Sequence, residues 1–151
     1  MSTSALYVGG FVSASTKLVS AYTSNSFFPV IAKLHYDTDL YAWRMAYASS
    51  AASDMEQIVA LSLQASDETK MAVAATKKTG ITVRYGTSAT FIFVIDTTTG
   101  AHVGKLTRFN HGGTSPSYDL TVLSQGLLMS NSKVFAAFFT TYTQVWSGTT
   151  G

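Results

Sequence analysis

The stretch Phe91-Ile-Phe-Val-Ile-Asp96-Thr-Thr-Thr-Gly100-Ala-His-Val-Gly-Lys-Leu-Thr-Arg-Phe109 decides the fold class of this 151-residue chain. Aromatic and β-branched residues fill its first arm and recur in its second, which is typical of strands. One Asp, three Thr and a Gly separate the two arms, and Gly100 can take the positive φ that a tight turn requires. The stretch therefore predicts a β-hairpin over residues 91–109.

Similar short runs, separated by Ser, Thr, Gly and Asn, recur along the whole chain and predict an all-β fold. The predicted strands are 5–12, 17–22, 27–34, 41–47, 57–63, 71–76, 81–85, 90–96, 102–109, 119–123, 134–139 and 143–146. One alternative is an α+β fold with a helix at about 42–65, where the chain is rich in Ala and Ser53-Asp54-Met55-Glu56 resembles a capping box. A β-sandwich or a β-barrel is also compatible with the pattern.

The chain also resembles itself. A single constant shift lays residues 17–87 on 81–151 without a gap, so that Val30-Ile31 falls on Val94-Ile95 and Arg44 on Arg108. Self-similarity at a fixed period, here about 64 residues, indicates a repeat architecture. We therefore predict one domain, residues 1–151, built from antiparallel repeats at about 17–80 and 81–144. An additional strand at 5–12 precedes them, out of phase with the repeat.

The strand that ends each repeat is rich in small residues, as in Lys70-Met71-Ala72-Val73-Ala74. Small side chains suit a crowded position in a sheet, where neighbouring backbones approach closely. We expect such a position for this strand.

The order of features resembles the repeat of bacterial and protist β-propeller proteins. The matching segments are Leu6-Tyr7-Val8-Gly9-Gly10, residues 28–34 with Ala32-Lys33-Leu34, Trp43, and Ile58-Val59-Ala60. The second copy departs from the pattern, with Asp96-Thr97-Thr98 in place of Ala-Lys-Leu and Thr107 in place of Trp. The resemblance implies propeller-blade-like sheets used for binding or scaffolding. Two blades cannot close a ring, since propellers have four to eight.

Composition excludes several classes of function. Only 12% of residues are charged, the net charge is +2 and the basic residues are scattered, so we expect no nucleic-acid partner. The apolar clusters are too short to span a bilayer. The chain has no Cys and no Gly-x-Ser-x-Gly motif, and we expect no catalytic site and no cofactor. Met1-Ser2-Thr3-Ser4 does not look like a signal peptide; an extracellular or cell-surface location is expected if the chain is a processed form.

Two groups of residues are candidates for ligand binding. Tyr41, Trp43 and Tyr47 alternate along one predicted strand, so they should project on the same side and could stack on the faces of sugars. The alternative for these aromatics is packing in the core or between subunits. Asp37 and Asp39 lie in an oxygen-rich turn that could hold Ca²⁺, with an exposed polar turn as the alternative.

We expect a structural protein that assembles with itself, as a homo-oligomer or a filament, through strand and sheet-edge contacts. The residues expected to meet a neighbouring copy are Leu6, Tyr7, Val8, Phe11, Val145 and Trp146. Those expected to hold the sheets together are Val30, Ile31, Ala72, Val94, Ile95 and Ala136. Two alternatives remain: a lectin-like module that binds glycans and closes a propeller by oligomerisation, and a viral coat subunit.

Overall fold

The computed structural model describes residues 5–13, 27–35, 40–46, 57–76, 89–110, 120–140 and 148–150. These residues form ten strands and no helix, so the prediction of an all-β fold is confirmed. In chain order the strands are β1 (Ala5–Ser13), β2 (Phe27–His35), β3 (Tyr41–Ala46), β4 (Gln57–Leu63), β5 (Lys70–Thr76), β6 (Ala89–Asp96), β7 (His102–Asn110), β8 (Leu120–Ser130), β9 (Lys133–Thr140) and β10 (Gly148–Thr150).

The strands group into three antiparallel sheets. The N-terminal sheet has the order β1-β2-β3, the central sheet has the order β10-β7-β6-β5-β4, and β8 and β9 form the C-terminal hairpin. The predicted hairpin over 91–109 is present as β6 and β7, which are joined by the turn at residues 97–99. The helical alternative is wrong where the chain is described, because β3 and β4 occupy residues 41–46 and 57–63.

The predicted grouping into two propeller blades is not confirmed. The strands β4 to β7 do form an antiparallel meander of the kind found in a blade, but β3 and β4 belong to different sheets and β10 extends the meander at β7. The predicted strands at 17–22, 81–85 and 143–146 lie outside the described residues. Since pairing joins segments that are distant in the chain, local patterns predict the strands better than the sheets.

The central sheet is packed on both faces. Its side chains alternate along β5, so that Met71, Val73 and Ala75 lie on one face and Ala72 and Ala74 on the other. The first set packs with the N-terminal sheet in a cluster that we call the first core, of which Ile31 is a member. The second set packs with the C-terminal hairpin in the second core, which includes Leu127 and Met129. The fold is therefore a stack of three layers.

Small side chains allow the C-terminal hairpin to lie close to the central sheet. Ala72 and Ala74 are completely buried in the second core, and Ala60 is 6% exposed. Ser62 Oγ of β4 accepts a hydrogen bond of 2.9 Å from the backbone N–H of Met129 in β8. Such a contact between a short side chain and a backbone requires the two layers to approach closely, as the sequence predicted for the Ala-rich β5.

Positions related by the repeat shift, which we call corresponding positions, lie on opposite layers at both interfaces. Ile31 and Ile95 belong to the first core, and Tyr7 packs against the same cluster as Met71. The Nζ of Lys33 donates a hydrogen bond of 3.1 Å to the carbonyl oxygen of Thr97, its corresponding residue. In the second core the equivalent pair is Ala72 and Ala136.

The register of the corresponding strands is not identical. Val8 pairs with Ala32, whereas Ala72, which corresponds to Val8, pairs with Val94 and not with Asp96. The offset is an even number of positions, so it leaves every side chain on its face, since side chains alternate from one face of a strand to the other.

Candidate interaction surface

The outer face of the N-terminal sheet is an apolar surface that the described residues leave uncovered. Cross-strand pairing arranges it in three rows. We define the outer face by these rows: Leu6–Leu34–Tyr41, Val8–Ala32–Arg44 and Gly10–Val30–Ala46. A shallow groove of about 240 Å³ runs over it and is lined by residues of all three strands. Leu6 is 53% exposed, and Val8 and Tyr41 are each 49% exposed.

The outer face carries very little charge. Among the described residues, Arg44 is the only charged side chain that lines the groove, and its guanidinium lies 5.6 Å from the centre of the Tyr41 ring. This cation–π contact holds the long Arg44 side chain against an aromatic surface at the sheet's edge strand β3. A surface of this composition fits an apolar partner and offers few groups for recognising a polar ligand.

One edge of the N-terminal sheet is formed by β1, which pairs with β2 and with no other described strand. Its nine residues, ALYVGGFVS, contain no charged residue and no Pro. Edge strands are commonly blocked by Lys, Pro or a bulge, because free N–H and C=O groups otherwise pair with another chain. Neither a charge nor a Pro blocks β1.

The inner face of the same sheet is tied to the central sheet by polar groups. The Thr97 carbonyl oxygen accepts hydrogen bonds from Lys33 Nζ at 3.1 Å and from Trp43 Nε1 at 3.0 Å. The Lys33 ammonium also lies 5.6 Å from the centre of the Tyr7 ring, which is 6.2 Å from the Trp43 ring. These contacts fix one end of the N-terminal sheet to the turn between β6 and β7.

The prediction that Tyr41 and Trp43 share a face is wrong. A register shift between Lys33 and Leu34 places Tyr41 opposite Leu34 on the outer face, while Trp43 lies opposite Lys33 on the inner face. The simple alternation used in the sequence analysis does not hold through such a bulge. Trp43 packs against the first core, and Tyr47 lies outside the described residues, so the three aromatics do not form one sugar-binding platform among the described residues.

The residues predicted to form an interface also divide between exposed and packed positions. Leu6, Val8 and Phe11 are about half exposed. Tyr7 instead packs against the first core. Val145 and Trp146 lie outside the described residues.

The residues expected to hold the sheets together do so with one exception. Ile31, Ile95 and Ala72 are completely buried, and Val94 and Ala136 pack against the second core. Val30 lines the groove of the outer face instead, because its side chain points away from its neighbour Ile31.

The turn that carries Thr97 is ordered by Asp96. Its Oδ1 accepts hydrogen bonds from the backbone N–H groups of Thr98 at 2.8 Å and Thr99 at 2.9 Å. The N–H groups of Thr99 and Thr98 lower the pKa of the Asp96 carboxyl below its ordinary value. Thr97 itself donates from its hydroxyl to the Glu68 carbonyl oxygen at 2.6 Å. A Thr at a turn gives no sequence signal for this role, so it could not be predicted.

The described residues contain no group of three or more His, Cys, Asp or Glu side chains that could hold a metal ion. Asp37 and Asp39, the predicted metal ligands, lie outside the described residues. No helix of the described chain is long and apolar enough to cross a membrane.

Comparison with known proteins found no matching family model, curated protein or solved structure.

Proposed function

We propose that this chain is a non-catalytic structural subunit that assembles with other copies of itself through the exposed strand edge and apolar face of its N-terminal sheet. One observation carries the proposal: among the described strands, β1 combines an open, uncharged edge with the half-exposed side chains of Leu6 and Val8. An edge of this kind is a template for pairing with another chain. The finer expectation, assembly of blade-like repeats into a ring or filament, belongs to the same proposal.

Comparison with the central sheet supports this proposal. The strand that corresponds to β1 in the repeat is β5, which pairs with β4 on one side and β6 on the other. Among the described strands, β1 pairs with β2 only. A strand added by another copy would give β1 the second partner that β5 already has, by β-augmentation.

The test is the mass of the purified protein by light scattering, combined with negative-stain imaging. We expect the wild-type chain to form oligomers or filaments. Gly10→Lys should shift the protein towards the monomer, because a lysine on an edge strand prevents pairing with another chain. The fold should tolerate the substitution, since a Cβ at Gly10 meets no atom within 4 Å. Val103→Lys, at an exposed valine of the central sheet, is the matched control and should assemble normally. A wild-type chain that stays monomeric at every concentration contradicts the proposal.

A further inference from the structure

We propose that the outer face of the N-terminal sheet binds the same face of a second copy, giving a dimer with two-fold symmetry. This rests on the proposed function and deepens it, since it names the partner and the contacting surface. The argument starts from the two interfaces inside the chain. At each of them, corresponding positions of the repeat lie on facing layers: Ile31 with Ile95 in the first core, and Ala72 with Ala136 in the second.

The outer face consists of the same positions as a face that is already buried. Val8 corresponds to Ala72, which is completely buried, and Val30 corresponds to Val94, which packs against the second core. In the central sheet this class of face is covered by the C-terminal hairpin, which presents its own corresponding residue, Ala136. The interface between the central sheet and the C-terminal hairpin thus joins two surfaces made of corresponding positions. The outer face is a further surface of that class, and a second copy supplies its match.

A two-fold axis is the symmetry that such a match requires. When a surface binds the same surface of a second copy, residue i of the first copy contacts residue j of the second, and residue j of the first contacts residue i of the second. Such an interface is called isologous, and it has a two-fold axis. The middle strand β2 would lie near the axis, because it is central in the order β1-β2-β3. Ala32 and Val30 would therefore meet their own counterparts or near neighbours, with the larger Leu6, Val8 and Leu34 packed around them.

The charge distribution is compatible with this arrangement. Arg44 lies on β3, the edge strand opposite β1, and its side chain extends over Tyr41. At the rim of the dimer its guanidinium can reach water while its aliphatic part covers apolar surface. The remaining residues of the three rows are uncharged, so two copies of the face bring no other like charges together.

The experiment uses Ala32→Lys, because β2 is paired on both sides and Ala32 therefore belongs to the face and not to the β1 edge. We expect the dissociation constant of the dimer to rise about a hundredfold or more, since each dimer would desolvate two ammonium groups. Val8→Lys on the neighbouring strand should have the same direction of effect. Val103→Lys is the control and should leave the dissociation constant unchanged; circular dichroism checks that all three variants are folded.

The chain contains no Cys, so a single introduced thiol gives an independent measurement. On mild oxidation, Ala32→Cys should form a covalent dimer through a disulfide between the two copies, and Val103→Cys should not. This readout does not require that a lysine variant folds.

The outcomes separate this inference from the proposed function. If the wild-type chain is monomeric, both are wrong. If it assembles, Gly10→Lys reduces the assembly and Ala32→Lys does not, the edge is used and the face-to-face dimer is wrong. If Leu128→Lys, on the exposed side of the C-terminal hairpin, dissociates the assembly while Ala32→Lys does not, the partner binds there and the inference is also wrong. Loss of the dimer with Ala32→Lys and formation of a covalent dimer by Ala32→Cys support it.

Discussion

The described residues cover the central sheet on both faces, whereas they cover the N-terminal sheet on one face only. The side chains differ accordingly. Where the C-terminal hairpin lies on the central sheet, β4 and β5 carry Ala60, Ala72 and Ala74. The outer face of the N-terminal sheet carries larger side chains, including Leu34 and Tyr41. Small residues suit the close approach of a backbone. Larger ones suit a partner at the usual sheet-to-sheet distance of about 10 Å, so a copy bound to the outer face would lie farther from its sheet than the C-terminal hairpin lies from the central sheet.

The largest expected effect tests the difference between a covered and an open position. Ala72→Lys should abolish cooperative unfolding at 25 °C, because burying an unpaired charge costs several kcal/mol out of a total stability of about 5–15 kcal/mol. Val8→Lys, at the corresponding position and 49% exposed, should change the free energy of unfolding by less than about 0.5 kcal/mol in the monomer. Urea titration followed by circular dichroism measures both. Equal destabilisation by the two substitutions would mean that the outer face is already covered within the chain.

A second, smaller effect tests how the inner face is held. Gly100 has a φ of 74°, and a Cβ there would lie 2.8 Å from Met45 Cγ and 2.8 Å from Trp43 Cε3. Gly104 has a φ of 81° but a Cβ there meets nothing within 4 Å. Gly104→Ala should therefore cost only the backbone strain of about 1–2 kcal/mol. Gly100→Ala should cost a further 1–3 kcal/mol, roughly, from crowding against the N-terminal sheet. Thermal melts of the two variants give the difference, and equal melting temperatures would contradict the packing of Trp43 on this turn.

The smallest effect is a pH dependence of the same contact. Hydrogen bonds from Thr99 and Thr98 lower the pKa of Asp96 in the folded chain. Its contribution to stability is therefore present above the ordinary pKa of about 3.9 and is lost as the pH falls through the lower folded-state pKa. The turn that offers the Thr97 carbonyl to Lys33 and Trp43 should loosen with it.

Melting temperatures between pH 6 and pH 2 measure this effect. We expect a smaller decrease on acidification for Asp96→Asn than for the wild-type chain. Asp67→Asn is an informative companion, because the Thr69 N–H and hydroxyl lower the pKa of that carboxyl in the adjacent turn. Wild-type and Asp96→Asn curves of identical slope would exclude a role for the Asp96 charge.

Local sequence patterns were sufficient for most of the described strands. The hairpin around Asp96–Gly100 and the strand at 71–76 were predicted within one or two residues, because alternation and turn residues act over short distances. They were not sufficient for the surfaces. The bulge between Lys33 and Leu34 depends on pairing with β3, and it reversed the predicted side of Tyr41 relative to Trp43. The strand β8 was predicted at 119–123 but extends to Ser130, because its second half is held by β9 and by packing on β4 and β5, which no local pattern reports.

The layer order also has a consequence for how the chain is made. Residues 5–46 leave the ribosome before β6, yet Ile31 and Trp43 find their packing partners in the first core and at Thr97, all of which come later. During synthesis the inner face of the N-terminal sheet would lack the rest of the first core until β4 to β6 have emerged. Nascent chains with exposed apolar strands are prone to aggregation and bind chaperones. Slow translation between β3 and β6 should therefore lower the yield of folded protein more than slow translation after β7.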